Sequence, residues 1–326
     1  MSGLDFFAGS ALVALIALMV ERFFGYPQDL FRAVRHPVMW TGAVIAALDR
    51  QLNRPGSRVA RLRGVTAVFL LLAITAAVTV PLVLLFRSLP FGVLAEGVMA
   101  ASLLAQKDLG HRVADVAAAL GQGLQPGRDA VGHIVGRDTG ALDEAGIARA
   151  AVESLAENTS DGIVAPLFWL FLAGLPGAAL HKAINTADSM IGYRSEKYRR
   201  FGWAAARLDD LVNWPAARLT GLLFAAAAAL GGGSGKAALA AMRRDAPRHA
   251  SPNAGWPEAA LAGALGFRLG GPRSYEGRLV DHPAMGAGRS DLDPEDIGKA
   301  LALYRRALDI LAGVTLALAV LAILVA

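Results

Sequence analysis

The chain has 326 residues, 55% hydrophobic and 18% charged, with a mean hydropathy of +0.44. Against the roughly 45–50% apolar and about 25% charged residues of soluble domains, this balance excludes a disordered or collagen-like chain and speaks for a membrane protein over an ordinary cytosolic enzyme. The absence of cysteine excludes disulfides, thiol nucleophiles and cysteine-held metal clusters, and the net charge of +5 reads as Lys and Arg on cytoplasmic loops rather than as a nucleic-acid footprint.

Residues 4–20 form an apolar run at the short end of a membrane span. No basic residue precedes it and no small-x-small site follows, so no cleaved signal peptide is expected. The next stretch carries Arg32, Arg35, Arg50, Arg54, Arg58, Arg61 and Arg63, which places it inside and the N-terminus outside. Residues 65–86 are the clearest span, and 90–105 are expected as another, interrupted by Glu96. Residues 163–180 are apolar but contain Pro166, Gly174, Pro176 and Gly177, as suits a broken or re-entrant element packed against protein. The apolar character of 219–241 is ambiguous, and 307–326 closes the chain as a span after Arg305 and Arg306.

If the polar stretches 21–63, 106–162, 182–218 and 243–306 all face the cytoplasm, the two ambiguous segments cannot each cross once. They must dip and return, or pack internally. Within the polar stretches, Val113–Leu120 and Asp143–Glu157 read as helical, while 243–294, rich in Pro and Gly, reads as turns. Strand signals are sparse. The expected fold is all-α and polytopic, a single membrane domain over residues 1–326.

Three polar blocks stand out. In the first, Glu153 and Glu157 share a helix face at i, i+4, with Asn158 and Asp161 just beyond; like charges there repel unless a cation lies between them, and acids beside a span generally have a partner. In the second, Asn185 and Asp188 at i, i+3 offer oxygen ligands of the kind magnesium takes, followed by Tyr193, Arg194 and Lys197, whose cations suit phosphate or carboxylate. Arg199 and Arg200 read better as a juxtamembrane lipid-facing cluster. In the third, Asp209, Asp210 and Asn213 form a D-D-x-x-N pattern. Alone it fits an acidic helix start; with Asn185 and Asp188 it fits two acidic helices clamping one metal–phosphate group.

His36-Pro37, and His249 with Asn253, lie in loops. No H-E-x-x-H, G-x-S-x-G or phosphate-binding loop is present, which disfavours zinc hydrolysis, serine hydrolysis and P-loop chemistry.

The runs Glu153–Trp169, Asn185–Tyr198, Arg207–Asn213 and His249–Gly271, with Gly25-Tyr26-Pro27, His36-Pro37 and Arg137-Asp138-Thr139, resemble the signature blocks of the adenosylcobinamide-phosphate synthase family of cobalamin biosynthesis (CobD/CbiB), in family order over nearly the whole chain. The resemblance implies a multi-pass enzyme of the cell inner membrane with cytoplasmic helical and turn-rich active-site loops. It implies an ATP- and magnesium-dependent ligase that joins adenosylcobyric acid to (R)-1-aminopropan-2-ol or its O-phosphate through an acyl phosphate.

On that reading Glu157, Asp161, Asp188, Asp209 and Asp210 are catalytic. Glu153, Glu157, Asp161, Asn185, Asp188, Asp209, Asp210 and Asn213 hold Mg²⁺. Asn158, Tyr193, Arg194, Lys197, His36, His249 and Asn253 bind substrate. The expected partners are the corrinoid, the aminopropanol and the lipid bilayer, without nucleic acid; a homo-oligomer or a complex with other corrinoid enzymes stays open. The competing readings are a membrane prenyl- or phosphatidyl-type transferase using Mg²⁺-diphosphate, and a non-catalytic membrane sensor.

Overall fold

The computed structural model describes residues 3–26, 32, 35–54, 56–193, 195–231, 233–275 and 278–326. In chain order the helices are α1 (Gly3–Phe24), α2 (Pro37–Leu52), α3 (Ala60–Arg87), α4 (Gly92–Ala101), α5 (Gln106–Leu120), α6 (Leu124–Gly132) and α7 (Glu144–Thr159). A π-turn (Ser160–Val164) then leads into α8 (Ala165–Ile191), followed by α9 (Trp203–Leu230), α10 (Gly235–Asp245), α11 (Gly255–Leu265) and α12 (Pro294–Val325). A short antiparallel pair, β1 (Arg273–Tyr275) and β2 (Arg278–Val280), lies between α11 and α12. The architecture is all-α and polytopic. Among the described residues four helical stretches are long and apolar enough to cross a membrane: Asp5–Phe24, Ala60–Arg87, Glu144–Ile191 and Pro294–Val325.

The chain divides into two compact units that alternate along the sequence. The first comprises Met1–Ala105, Ala165–Asn213 and Val314–Ala326; the second comprises Gln106–Val164 and Trp214–Gly313.

In the first unit, α8 packs against α1, α2, α3 and α4. A core of Ile45, Val68, Leu71, Ile191 and Phe201, interleaved with Ala67, Ala183, Ala187 and Ala205, joins α2, α3, α8 and the start of α9. The small residues let the helices approach closely without a polar group left between them. Gly64 is the extreme case: a Cβ there would lie 1.8 Å from the carbonyl oxygen of Phe201. α2 starts at Pro37, whose fixed φ suits the first helical position, and His36 caps it by accepting the Val38 N–H through Nδ1 at 3.2 Å.

The structure differs from expectation at residues 90–105. Helix α4 has only 10 residues, about 15 Å at 1.5 Å per residue, half of the roughly 30 Å hydrocarbon thickness. Its Glu96 is fully buried, and the reason lies in α8. That helix breaks at Ala173 and Gly174, the latter at φ 63°, ψ −163°, a conformation open essentially to glycine. The break frees the Leu175 N–H, which points to Glu96 Oε1 at 3.5 Å, and Arg87 Nε meets Glu96 Oε2 at 3.3 Å. A carboxylate that looks like an interruption of an apolar run therefore partners a broken helix, as non-helical backbone at membrane depth requires.

In the second unit, α5, α6 and α7 pack on one another, α7 also on α11, and α11 on α10. Asp143 caps α7, its Oδ1 accepting the Gly146 N–H at 2.7 Å, a satisfied donor that sets where the helix begins. The ambiguous run 219–241 resolves into the end of α9 and the start of α10. Residues 243–294, expected as turns, contain α11, whose Ala259, Ala260, Leu261 and Ala262 are fully buried. Its alanine- and glycine-rich composition carries no amphipathic period, because most of its faces are buried.

Candidate functional site

The first unit brings one part of the acidic pattern together. His181, Asn185 and Asp188 lie at i, i+4 and i+7 on α8, one stripe of a 3.6-residue period, and Asp209 and Asn213 lie one turn apart on α9. The two helices are laced through a single carboxylate oxygen. Asp209 Oδ1 accepts from Asn213 Nδ2 at 2.9 Å and from Asn185 Nδ2 at 3.3 Å, and Asn213 Oδ1 lies 2.7 Å from His181 Nε2. His181 and Asn213 are each 1% exposed and Asp209 is 9% exposed. Among the described residues, nothing donates to the second oxygen of Asp209.

Burial first, and then the negative charge of Asp188, push the Asp209 carboxyl up to about 7; the two amide hydrogen bonds pull the other way without prevailing, and Asp210 adds to the rise. The negative charges of Asp188 and Asp210 thus add to burial in keeping the Asp209 carboxyl above its ordinary value. Asp210 is the more open of the α9 pair and meets Arg207 at 3.5 Å.

Among the described residues no group of three or more His, Asp and Glu side chains could hold a metal ion by itself. Magnesium does not require one. It keeps several waters and is commonly held by one or two carboxylates together with substrate phosphates. Asp188 and Asp209, all-oxygen donors with an Asp209 oxygen that no described residue occupies, fit an ion that arrives with a phosphate group; they do not form a closed cage.

Other expected residues are engaged within the protein. Lys197 Nζ lies 3.0 Å from Asp49 Oδ2 and 2.6 Å from the Tyr198 hydroxyl. Asp49 also accepts from Tyr198 and from Asn53, and these contacts hold its carboxyl below the ordinary value although burial alone would raise it. This knot ties the end of α2 to the turn after α8. Tyr193 is exposed. His36 caps α2 and stacks edge-on with Tyr26 at 4.6 Å. Arg194 lies outside the described residues.

The remaining expected residues belong to the second unit. Glu153 is 5% exposed and both its oxygens are committed: Oε2 to Arg137 Nη2 at 2.9 Å and Oε1 to the Gly270 N–H at 2.6 Å. A carboxylate so occupied fastens the 266–289 segment to α7, and the i, i+4 face shared with Glu157 does not make the two a pair. Glu157 and Asn158 are exposed, and Asp161 is half-buried at the π-turn. Asn158 Nδ2 donates to the Ser154 carbonyl at 2.9 Å. His249 Nδ1 accepts the Ser251 N–H at 3.0 Å while its Nε2 faces Glu258 at 3.7 Å. Asn253 Oδ1 accepts from Arg218 at 2.9 Å, and that guanidinium lies over the rings of Trp214 and Trp256 at 4.4 and 4.5 Å.

Sequence reasoning passes over His181, Asp49 and Glu96. For His181 the signal is present: it stands four residues before Asn185, on the stripe that also carries Asp188. For Asp49 and Glu96 no local pattern exists, since their partners come from distant helices.

Comparison with known proteins gives close relatives. The chain is 49% identical over 315 residues to the "Cobalamin biosynthesis protein CobD" of Rhodobacter capsulatus, covering 96% of this chain and 98% of that one. It is 49% identical over 307 residues to the protein of the same name from Rhizobium meliloti, covering 92% and 94%. With that of Brucella anthropi it shares 45% identity over 322 residues, covering 96% and 98%. No solved structure matches the chain. The model of the CobD/Cbib protein family matches residues 14–304, and with relatives at this identity and coverage the chain belongs to that family.

Proposed function

We propose that the protein is an ATP- and Mg²⁺-dependent ligase of cobalamin biosynthesis. It joins the free propionate carboxyl of adenosylcobyric acid to (R)-1-aminopropan-2-ol or its O-phosphate. It works from the cell inner membrane, with its polar loops on the cytoplasmic side where ATP is available. The family and its named relatives support the pathway; the observation that carries the chemistry is Asp209, held by two amides on one oxygen with no described residue on the other, beside Asp188.

Amide formation from a free carboxylate is uphill in water, so the carboxylate is first activated. Its oxygen attacks the γ-phosphorus of ATP, the bond to the leaving ADP breaks, and an acyl phosphate forms. The amine then attacks the acyl carbon, the carbon–oxygen bond to phosphate breaks, and phosphate leaves. The incoming ammonium gives one proton to a carboxylate of the cluster before it attacks, and the second proton leaves with the departing phosphate. Such phosphoryl transfer asks the protein for positioning and charge neutralisation more than for covalent chemistry. When bound, Mg²⁺ supplies neutralisation of the phosphate oxygens, held by Asp188 and Asp209 with Asp210 close by. Asn185 and Asn213 orient Asp209. Arg194 and Lys197 are the cations assigned to the transferring phosphate or the aminopropanol phosphate. Glu157, Asn158 and Asp161 are retained as substrate- or metal-facing groups of the second unit. Glu153, committed to Arg137 and Gly270, is assigned to holding the 266–289 segment.

The test is a single-turnover assay on purified, lipid-reconstituted protein supplied with adenosylcobyric acid, ATP, Mg²⁺ and each amine in turn. Amidated corrinoid and ADP in equal amounts are expected from the wild type, and a loss of at least about a hundredfold in rate from Asp188→Ala, on the scale of losing one electrostatic partner of the transition state. Absence of the amide with both amines would overturn the reading; so would a normal rate in the variant.

A further inference from the structure

We infer that His181 is a positioning residue: it acts through Asn213 to present the second oxygen of Asp209 to the metal–phosphate group. The inference rests on the proposed function above and deepens it.

The direction of the hydrogen bonds follows from the groups themselves. Asn213 Nδ2 faces Asp209 Oδ1 at 2.9 Å; the form of Asp209 that would meet a cation is the ionised one, which only accepts, so in that form the amide nitrogen is the end that faces it. The amide oxygen then faces His181 Nε2 at 2.7 Å, and oxygen only accepts. The ring must therefore carry its proton on Nε2, an assignment made from the network of partners. The chain reads one way: His181 N–H to Asn213 oxygen, Asn213 N–H to Asp209 Oδ1. Asn185 adds a second donor to that same oxygen at 3.3 Å. Rotating the Asp209 carboxylate would break both contacts, so its other oxygen is the one offered outward.

The tautomer leaves Nδ1 with a lone pair, and this atom is buried with no hydrogen-bond partner among the described residues. An unsatisfied buried polar atom costs on folding. A side chain kept only for packing would be better apolar, so the ring is retained for its Nε2–H. Buried chains of this kind are strengthened by low local dielectric. Partners behind metal-binding carboxylates are also worth roughly 10–100-fold in metal affinity. Pre-setting Asp209 means that binding does not have to supply the ordering of the carboxylate.

The test measures Mn²⁺, as a stand-in for Mg²⁺, by electron paramagnetic resonance. The protein is detergent-solubilised, full-length and supplied with the non-hydrolysable β,γ-imido analogue of ATP. Wild type is expected to bind the ion. His181→Leu is expected to weaken binding about 10–100-fold, and His181→Gln, which keeps an N–H at the matching position, to recover to within about threefold of wild type. Unchanged affinity in His181→Leu overturns the inference, as does a His181→Gln variant no better than His181→Leu. No ion binding by the wild type would instead overturn the proposed function, and the inference with it. Should His181→Leu fail to fold, the ¹⁵N resonances of labelled histidine in wild-type protein decide: a neutral ring protonated on Nε2 is expected, with the signal assigned by its loss in His181→Gln. A ring protonated on Nδ1 overturns the inference.

Discussion

Removal of the Glu153 carboxylate tests whether this acid is a structural fastener. In Glu153→Ala, Arg137, 9% exposed at its side chain, loses its counter-charge at 2.9 Å, and the Gly270 N–H loses its acceptor at 2.6 Å. Leaving one member of a buried pair uncompensated costs about 3–5 kcal/mol, and an orphaned N–H about 1–3 kcal/mol. The two costs overlap, because the loosened segment can reach water, so about 3–5 kcal/mol is the expected total. At roughly 2 °C per kcal/mol for a chain of this size, the melting temperature falls by about 6–10 °C, read by thermal unfolding in detergent at a fixed scan rate. Replacing both members, as in Arg137→Met with Glu153→Met, removes the buried charges together and is expected to restore most of the loss, since an apolar pair of similar volume is often as stable. A single variant melting within about 2 °C of wild type, or a double variant no better than the single, would refute the assignment.

Two further outcomes follow from the first unit. In Gly64→Ala the new Cβ meets the Phe201 backbone carbonyl at 1.8 Å; backbone cannot rotate away, so α3 must shift, with a loss of about 3 kcal/mol visible in the melting temperature, and wild-type stability would refute the close packing. In Asp209→Asn the amide keeps an acceptor for Asn185 and Asn213 but cannot ionise. The folded carboxyl sits at about 7 against an ordinary 3.8, so the folded state holds its proton more tightly than the unfolded chain. Stability of the wild type therefore declines as pH rises from about 4 to about 7, and the variant escapes this. At 1.36 kcal/mol per pH unit the advantage of Asp209→Asn is zero near pH 4 and at most about 4 kcal/mol at pH 8; parallel stability–pH curves would refute the raised carboxyl.

Apolar length and charge asymmetry are local properties, and the sequence carries them openly. The runs 4–20, 65–86 and 307–326 fall on three of the four long apolar helices, because about 20 uninterrupted apolar residues have few alternatives. The helix read over Asp143–Glu157 is found as Glu144–Thr159, since its helical residues are neighbours in sequence. The stripe Asn185–Asp188 and the pattern Asp209–Asn213 could be read from helical spacing alone.

What each side chain does with its polar atoms could not be read, because hydrogen-bond partners are chosen by how helices pack. Glu153 and Glu157 share spacing and charge, yet one is buried against Arg137 and Gly270, the latter 117 residues away, and the other is exposed. Glu96 reads as a flaw in a span and proves to be the acceptor for a broken helix 79 residues on. His181 stands just past an apolar segment with no local pattern to name its partner, until α9 sets Asn213 against it. Periodicity places a residue on a face; only the packed neighbour decides whether that face meets lipid, a partner's donor, or a carboxylate waiting for charge.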